Sequence, residues 1–210
     1  MIRAIIFDVD GVLVQSFEAN FKFYQDLLVA AGYQAPSREI YTTMFHMTME
    51  DVIRTLTKSD DETEVQRVWA LGKSRRVWYP SELITTPPKY KEVIQQLSTH
   101  YKLAVVTSRI RGAVFSLPQL SDLEQLFAVT VYYEDTVQHK PHAEPLLLAC
   151  KRLAIDPSEA VYIGDAHTDI QAAQSAQMKS IAFSQESYPG ADAVTDVFEQ
   201  IPLLIQQLSN

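Results

Sequence analysis

Five short apolar runs constrain the fold of this chain more than any other feature. They are Arg3 to Val9, Lys102 to Thr107, Phe127 to Tyr132, Ala160 to Ile163 and Lys179 to Phe183. Each is rich in Ile, Val, Phe or Tyr and is closed by polar or turn residues. Continuous apolar runs of this length suit strands of a parallel sheet covered on both faces. Helical patterns fill the intervals between the later runs. Lys89 to Leu97 carries Tyr90, Val93, Ile94 and Leu97 at helix spacing, and Pro145 to Leu153 and Thr168 to Ala176 follow. Phe198 to Leu208 closes the chain with Ile201, Leu204, Ile205 and Leu208 on one stripe. Alternating strands and helices predict an α/β fold with a doubly wound, five-stranded parallel sheet.

One stretch breaks the alternation. Between Gln15 and Leu83 there is no convincing strand. Phe17 to Ala31 reads as a helix stopped by Gly32, a residue suited to the left-handed turn that ends helices. Ser37 opens another candidate helix, and Thr48 to Leu56 and Glu62 to Trp78 also look helical. An all-helical block is therefore inserted after the first strand, and Pro80, Pro87 and Pro88 mark the return to the sheet. The expected organisation is an α/β core of residues 1–14 and 84–210 with a helical cap of residues 15–83.

Composition removes several function classes. The 210 residues carry 18 Lys and Arg against 26 Asp and Glu, a formal net charge of -8 with no basic run. That argues against a nucleic-acid partner. No stretch of about 18 apolar residues could span a membrane. The first apolar run is cut off by Asp8, so no signal peptide is expected. The single cysteine, Cys150, cannot form an intramolecular disulfide and lies in an apolar segment, which reads as core packing. A reducing, cytoplasmic setting fits.

Chemistry enters at the strand ends. Asp8-Val9-Asp10-Gly11 follows the first run directly. Alternate residues of an extended chain share a side, so Asp8 and Asp10 can converge where the turn permits. One such acid could be a helix cap or a solvated turn residue. However, Gly164-Asp165-Ala166-His167-Thr168-Asp169 repeats the arrangement after the fourth run, and capping needs one acid, not four at two strand ends. Ligands of doubly wound sheets bind beyond the carboxyl ends of the strands. Clustered carboxylates repel, by roughly 4 kcal/mol per pair at about 4 Å and an effective dielectric of about 20. A hard divalent cation relieves that repulsion, and oxygen ligands with open water positions suit Mg²⁺. Thr107-Ser108-Arg109 after the second run offers a hydroxyl and backbone N–H groups, and Lys140-Pro141 after the third offers a compact positive charge.

These four segments, in this order, resemble the motifs of the haloacid dehalogenase superfamily. Its phosphoglycolate phosphatase and pyrophosphatase-like subgroup, which has a small helical cap, is the nearest in pattern. The two acid pairs must meet, so strands one and four must be neighbours, and the expected sheet order is 3-2-1-4-5. The resemblance implies a phosphatase acting on a small phosphorylated metabolite through an aspartyl-phosphate. Asp8 would be the nucleophile, Asp10 the acid and later the base, and Lys140 the charge that steadies Asp8 and the transferred group. Thr107, Ser108 and Arg109 would bind the substrate phosphate. Mg²⁺ would be held by Asp8, the carbonyl of Asp10 and Asp165, with Asp169 beside it or one shell out. The dehalogenase and phosphonatase branches lack the second acid, so Asp10 disfavours both. A mutase branch often has a cap histidine ten residues after the second acid, where this chain has Asn20. A phosphomutase and a catalytically silent phosphate-binding module stand as the alternatives. His46, Thr48, Arg54 and Arg109 are candidates to face the leaving group. Gln177 and Lys89 stand where the family usually has Gly.

Overall fold

The computed structural model describes residues 1–186 and 188–209 and divides into two compact units. One comprises Met1–Gln15 and the chain from Thr86 onward; the other is Ser16–Thr85.

The first unit is built on a parallel sheet. Its strands are β1 (Ala4–Phe7), β2 (Lys102–Val106), β3 (Phe127–Val131), β4 (Ala160–Gly164), β5 (Lys179–Phe183) and β6 (Ala193–Thr195). They lie in the order β3-β2-β1-β4-β5-β6. The central order is the expected 3-2-1-4-5, but the sheet has six strands, not five. The sixth is a three-residue edge strand, with Asp192 accepting from the Ser180 N–H at 2.8 Å. Three residues bracketed by Asp192 and Asp196 leave too short an apolar signal to stand out from a loop. β1 is buried along its whole length between β2 and β4, with Phe7 level with Val105 on one side and Ile163 on the other. The carboxyl ends of the three central strands thus sit side by side.

The inserted unit is helical: α1 (Phe17–Ala31), α2 (Arg38–Thr42), α3 (Met49–Thr57) and α4 (Glu62–Lys73). Gly32 caps α1 at φ 93°, and Ser37, Thr48 and Asp61 each accept a first-turn backbone N–H with the side chain. α4 ends five residues before Trp78, because Arg75 turns to φ 60° and breaks the helical path. The unit has its own core, including Leu27, Leu28, Tyr41, Ile53, Val65 and Val68. Met44 belongs to that core and Met49 packs against it, whereas Met47 is exposed.

The first unit continues with α5 (Tyr90–Ser98), α6 (Glu144–Leu153), α7 (His167–Ser175) and α8 (Ile201–Leu208). Alternation along the strands sends successive side chains to opposite faces. Ala4, Ile6, Val106 and Tyr162 join Leu146, Ala149, Cys150 and Ala172 in one buried cluster. Phe7 points the other way, onto Phe127 and Phe198 at 6.3 Å each. Burial pushes the Cys150 thiol up to about 11, which keeps it protonated and inert. Gln177 and Lys89 adopt φ of 54° and 52°, so each holds the left-handed conformation that a glycine would adopt without strain. Among the described residues, no helix is long and apolar enough to cross a membrane.

Candidate active site

Asp8 follows β1 directly and is 8% exposed, and its N–H donates to the Ile163 carbonyl at 2.9 Å. The chain then turns sharply: the N–H groups of Val12, Leu13 and Val14 all point back to the Val9 carbonyl. Gly11 sits in this turn at φ 79°. β4 ends in Gly164, and Asp165 and Asp169 follow at the entry to α7. One oxygen each from Asp8, Asp165 and Asp169 can lie within 4.8 Å of the others. Gly164 makes that possible, since a Cβ there would overlap the Asp169 side chain.

Lys140 ties the group together. Its Nζ is 2.9 Å from Asp8 Oδ2 and 2.7 Å from Asp169 Oδ1. It also donates to the Tyr162 hydroxyl at 3.0 Å, and that hydroxyl donates to the same Asp169 oxygen at 3.0 Å. The other Asp169 oxygen accepts the backbone N–H groups of Asp165 and Ala166, at 3.1 and 3.0 Å. Asp169 therefore has four hydrogen-bonding partners within the chain. Its geometry suits holding the Asp165 loop and Lys140 more than offering a free oxygen to a cation.

The electrostatics follow from burial. Burial is the main reason the Asp8 carboxyl rises from 3.8 to about 7; Lys140 opposes the rise, while Asp169 and Asp10 add to it. Asp165 is likewise pushed well above the usual carboxylate range, by burial and then by Asp169 and Asp8. Burial pulls the Lys140 ammonium down, but Asp169 and Asp8 more than reverse that, so it stays charged. Buried oxygen donors that resist ionisation for want of positive charge are the donor set a hard divalent cation satisfies. The residues present thus fit such an ion, with Asp8 and Asp165 as the carboxylates best able to face it.

The remaining predicted residues divide. Thr107, at the end of β2, is buried, and it lines a small cavity with Ser108 and Lys140. Asp10 and Arg109 instead pair with each other. Arg109 Nε donates to Asp10 Oδ2 at 2.8 Å and its NH2 group donates to Oδ1 at 2.7 Å. The Asp10 side chain is therefore not part of the three-carboxylate cluster. In the helical unit, Thr48 caps α3 and Arg54 pairs with Glu62 at 2.7 Å and Glu50 at 3.5 Å. His46 lies against the Phe45 ring at 4.9 Å. Sequence reasoning missed Tyr162, because a tyrosine inside a Val-Tyr-Ile strand reads as core filler; only its hydroxyl, in a site of buried charges, could have been a signal. It also missed the rings of Tyr133 and His139, stacked at 4.1 Å on the wall of the same cavity.

A parallel sheet with paired carboxylates at the ends of two adjacent central strands and a lysine between them defines a class of α/β hydrolases. The haloacid dehalogenase-like hydrolase family model matches residues 5–183, and the chain belongs to that family. It is 29% identical over 184 residues to the pyrophosphatase PpaX of Bacillus cereus (strain AH820), covering 87% of this chain and 83% of that protein. Among solved structures, it resembles a subfamily IA, variant 1 hydrolase of Geobacter sulfurreducens PCA, with TM-score 0.72 and 25% identity over 97% and 96% of the two chains. The β-phosphoglucomutase of Clostridium difficile has the same fold, with TM-score 0.84, 22% identity and coverage of 99% and 97%.

Proposed function

We propose that this chain is a Mg²⁺-dependent phosphatase that hydrolyses small phosphate monoesters through an aspartyl-phosphate on Asp8. The observation that carries the reading is the convergence of Asp8, Asp165, Asp169 and Lys140 at the carboxyl ends of β1 and β4. An oxygen of Asp8 attacks phosphorus, and the bond from phosphorus to the leaving oxygen breaks. Asp10 gives that oxygen its proton, then takes one from the water that attacks the aspartyl-phosphate and frees inorganic phosphate. Lys140 holds Asp8 and balances charge on the transferred group, while Thr107 and the Ser108 N–H bind its oxygens. Asp8, Asp165 and the Asp10 carbonyl would hold Mg²⁺, with Asp169 behind them. The ion would neutralise the carboxylates and the charge developing on the phosphoryl group. Residues 15–83 would act as the cap that selects the substrate, and residues 1–14 and 84–210 as the catalytic core.

The relationship to PpaX supports a phosphate-anhydride or phosphate-ester substrate. The test is turnover of phosphoglycolate, pyrophosphate, nucleoside monophosphates and an aryl phosphate, with Mg²⁺ and with a chelator. Release of inorganic phosphate that stops with chelator and in Asp8→Asn supports the reading. Transfer of phosphate between two positions of a sugar, without release, would favour a mutase. Binding of phosphate with no turnover of any ester would favour a silent module.

A further inference from the structure

We infer that Arg109 selects phosphate esters whose leaving group carries a second negative charge, by exchanging that charge for Asp10. The inference rests on the phosphatase reading above and deepens it.

Three contacts of Arg109 bear on this. Its backbone N–H donates to Thr107 Oγ1 at 3.1 Å, its NH1 group donates to the Ala113 carbonyl at 3.1 Å, and its Nε and NH2 edge grips both oxygens of Asp10. The Ala113 carbonyl anchors the guanidinium independently of Asp10, and the fork presented to Asp10 is the edge that a second anion can engage.

That pairing turns Asp10 toward Arg109: the fork engages both carboxylate oxygens edge-on, so Asp10 must swing from it to bring an oxygen up to the one departing from phosphorus on Asp8. The Arg109 side chain is only 10% exposed and that of Asp10 25%. Water therefore reaches the guanidinium poorly, and removing its counterion without replacement is costly. The planar fork accepts a carboxylate or a phosphoryl group in the same two-point manner as Asp10. A leaving group bearing its own anion therefore takes the place of Asp10 and frees it to act. An uncharged leaving group offers no replacement, and Asp10 stays on Arg109. Discrimination arises at the chemical step, so it falls on kcat as well as KM.

Two pairs of substrates test this on the full chain with Mg²⁺. Phosphoglycolate is compared with 2-hydroxyethyl phosphate, its near-isosteric uncharged twin, and 1,3-propanediol bisphosphate is set against 3-hydroxypropyl phosphate, so that each pair has alkyl leaving groups of similar acidity. p-Nitrophenyl phosphate, whose leaving group needs no proton, is the reference. Wild-type kcat/KM is expected to favour the charged member of at least one pair by about 10- to 100-fold, the worth of a charge-assisted bidentate contact. The pair that discriminates identifies the anion as carboxylate or phosphate. In Arg109→Gln that ratio is expected to collapse toward one, through a higher kcat on the uncharged member, whose Asp10 is no longer held, and a higher KM for the charged member, and Arg109→Lys is expected to recover part of it. The wild-type comparison needs no variant and stands if Arg109→Gln does not fold. Equal turnover within both pairs by wild type overturns the inference, as does an Arg109→Gln effect that is uniform across all five esters. A protein that turns over none of them, the aryl phosphate included, overturns the phosphatase reading and this inference with it.

Discussion

Gly11 and Asp165 share one space: a Cβ on residue 11 would fall inside the Asp165 carboxylate. The φ of 79° at Gly11 adds a second demand that side-chain-bearing residues meet poorly. The first acid pair and the second are thus fitted to each other through a missing side chain. Gly11→Ala should push Asp165 away from Asp8 and weaken Mg²⁺ binding by roughly 10- to 100-fold, as disturbed ligand orientation typically does. Calorimetric titration of the folded variant measures this; unchanged cation affinity would contradict the fitted arrangement.

The metal-free protein should lose stability as pH rises. Burial lifts the Asp8 carboxyl above its ordinary 3.8, to about 7, so the folded state holds this proton more tightly than the unfolded chain. Its stabilising contribution is complete below about pH 4 and lost as pH climbs through about 7. The full rise corresponds to roughly 4 kcal/mol at ~1.4 kcal/mol per pH unit, an upper bound for a group that can relax. Asp165, also raised, acts in the same direction. Mg²⁺ favours the ionised carboxylates, so the gain in Tm on adding it should widen from pH 5 to pH 8. A gain that is flat or shrinks over that range would count against a buried carboxylate site.

Asp8→Asn separates chemistry from stability. The amide keeps the shape but its oxygen is a far poorer nucleophile than a carboxylate, so turnover should disappear, a loss of at least about 10³-fold. Above about pH 7, where Asp8 is ionised, the variant also removes one of three crowded negative charges, so its metal-free Tm there should equal or exceed that of the parent. Asp10→Asn should retain more activity toward an aryl phosphate than toward an alkyl phosphate, because only the latter needs a proton donor. Full activity of Asp8→Asn would falsify the aspartyl-phosphate route.

Tyr162→Phe tests the network behind the site. The hydroxyl accepts from Lys140 and donates to Asp169, both largely buried. Its loss should cost about 1.5–3 kcal/mol, the usual range for a hydrogen bond to a charged group. Lys140 keeps two direct carboxylate partners, so activity should fall by less than about tenfold. Equilibrium urea unfolding and steady-state turnover read the two quantities, and a stability indistinguishable from the parent would mean the hydroxyl is idle.

Much of this architecture was legible because its signals are local. Lys179 to Phe183 is a strand with the predicted bounds, and each of the other four apolar runs overlaps a strand whose ends lie within two residues of its own. Buried parallel strands write themselves as unbroken apolar runs. The stop at Gly32 and the caps at Ser37 and Thr48 were readable for the same reason. The sixth strand was not, because edge pairing asks little of three residues. Within the site, the acids and Lys140 could be picked out because charged residues directly after buried strands are rare. The partnership of Arg109 with Asp10 joins residues 99 positions apart, and no spacing rule encodes it. Nor could sequence alone reveal that four partners surround Asp169, since backbone donors leave no mark in residue identity.

The pairing of Lys140 with two carboxylates has a consequence for the order of assembly. Among the described residues, Asp8 and Asp169 pair with Lys140 and Asp10 pairs with Arg109, so the four carboxylates of Asp8, Asp10, Asp165 and Asp169, when ionised, outnumber these two cations by two. Such a pocket repels a phosphate dianion until a divalent counterion has brought the tally to neutral. Ligand addition should therefore be sequential, cation before ester. Inorganic phosphate alone should leave the melting transition where it is, and should raise it only after Mg²⁺ is present.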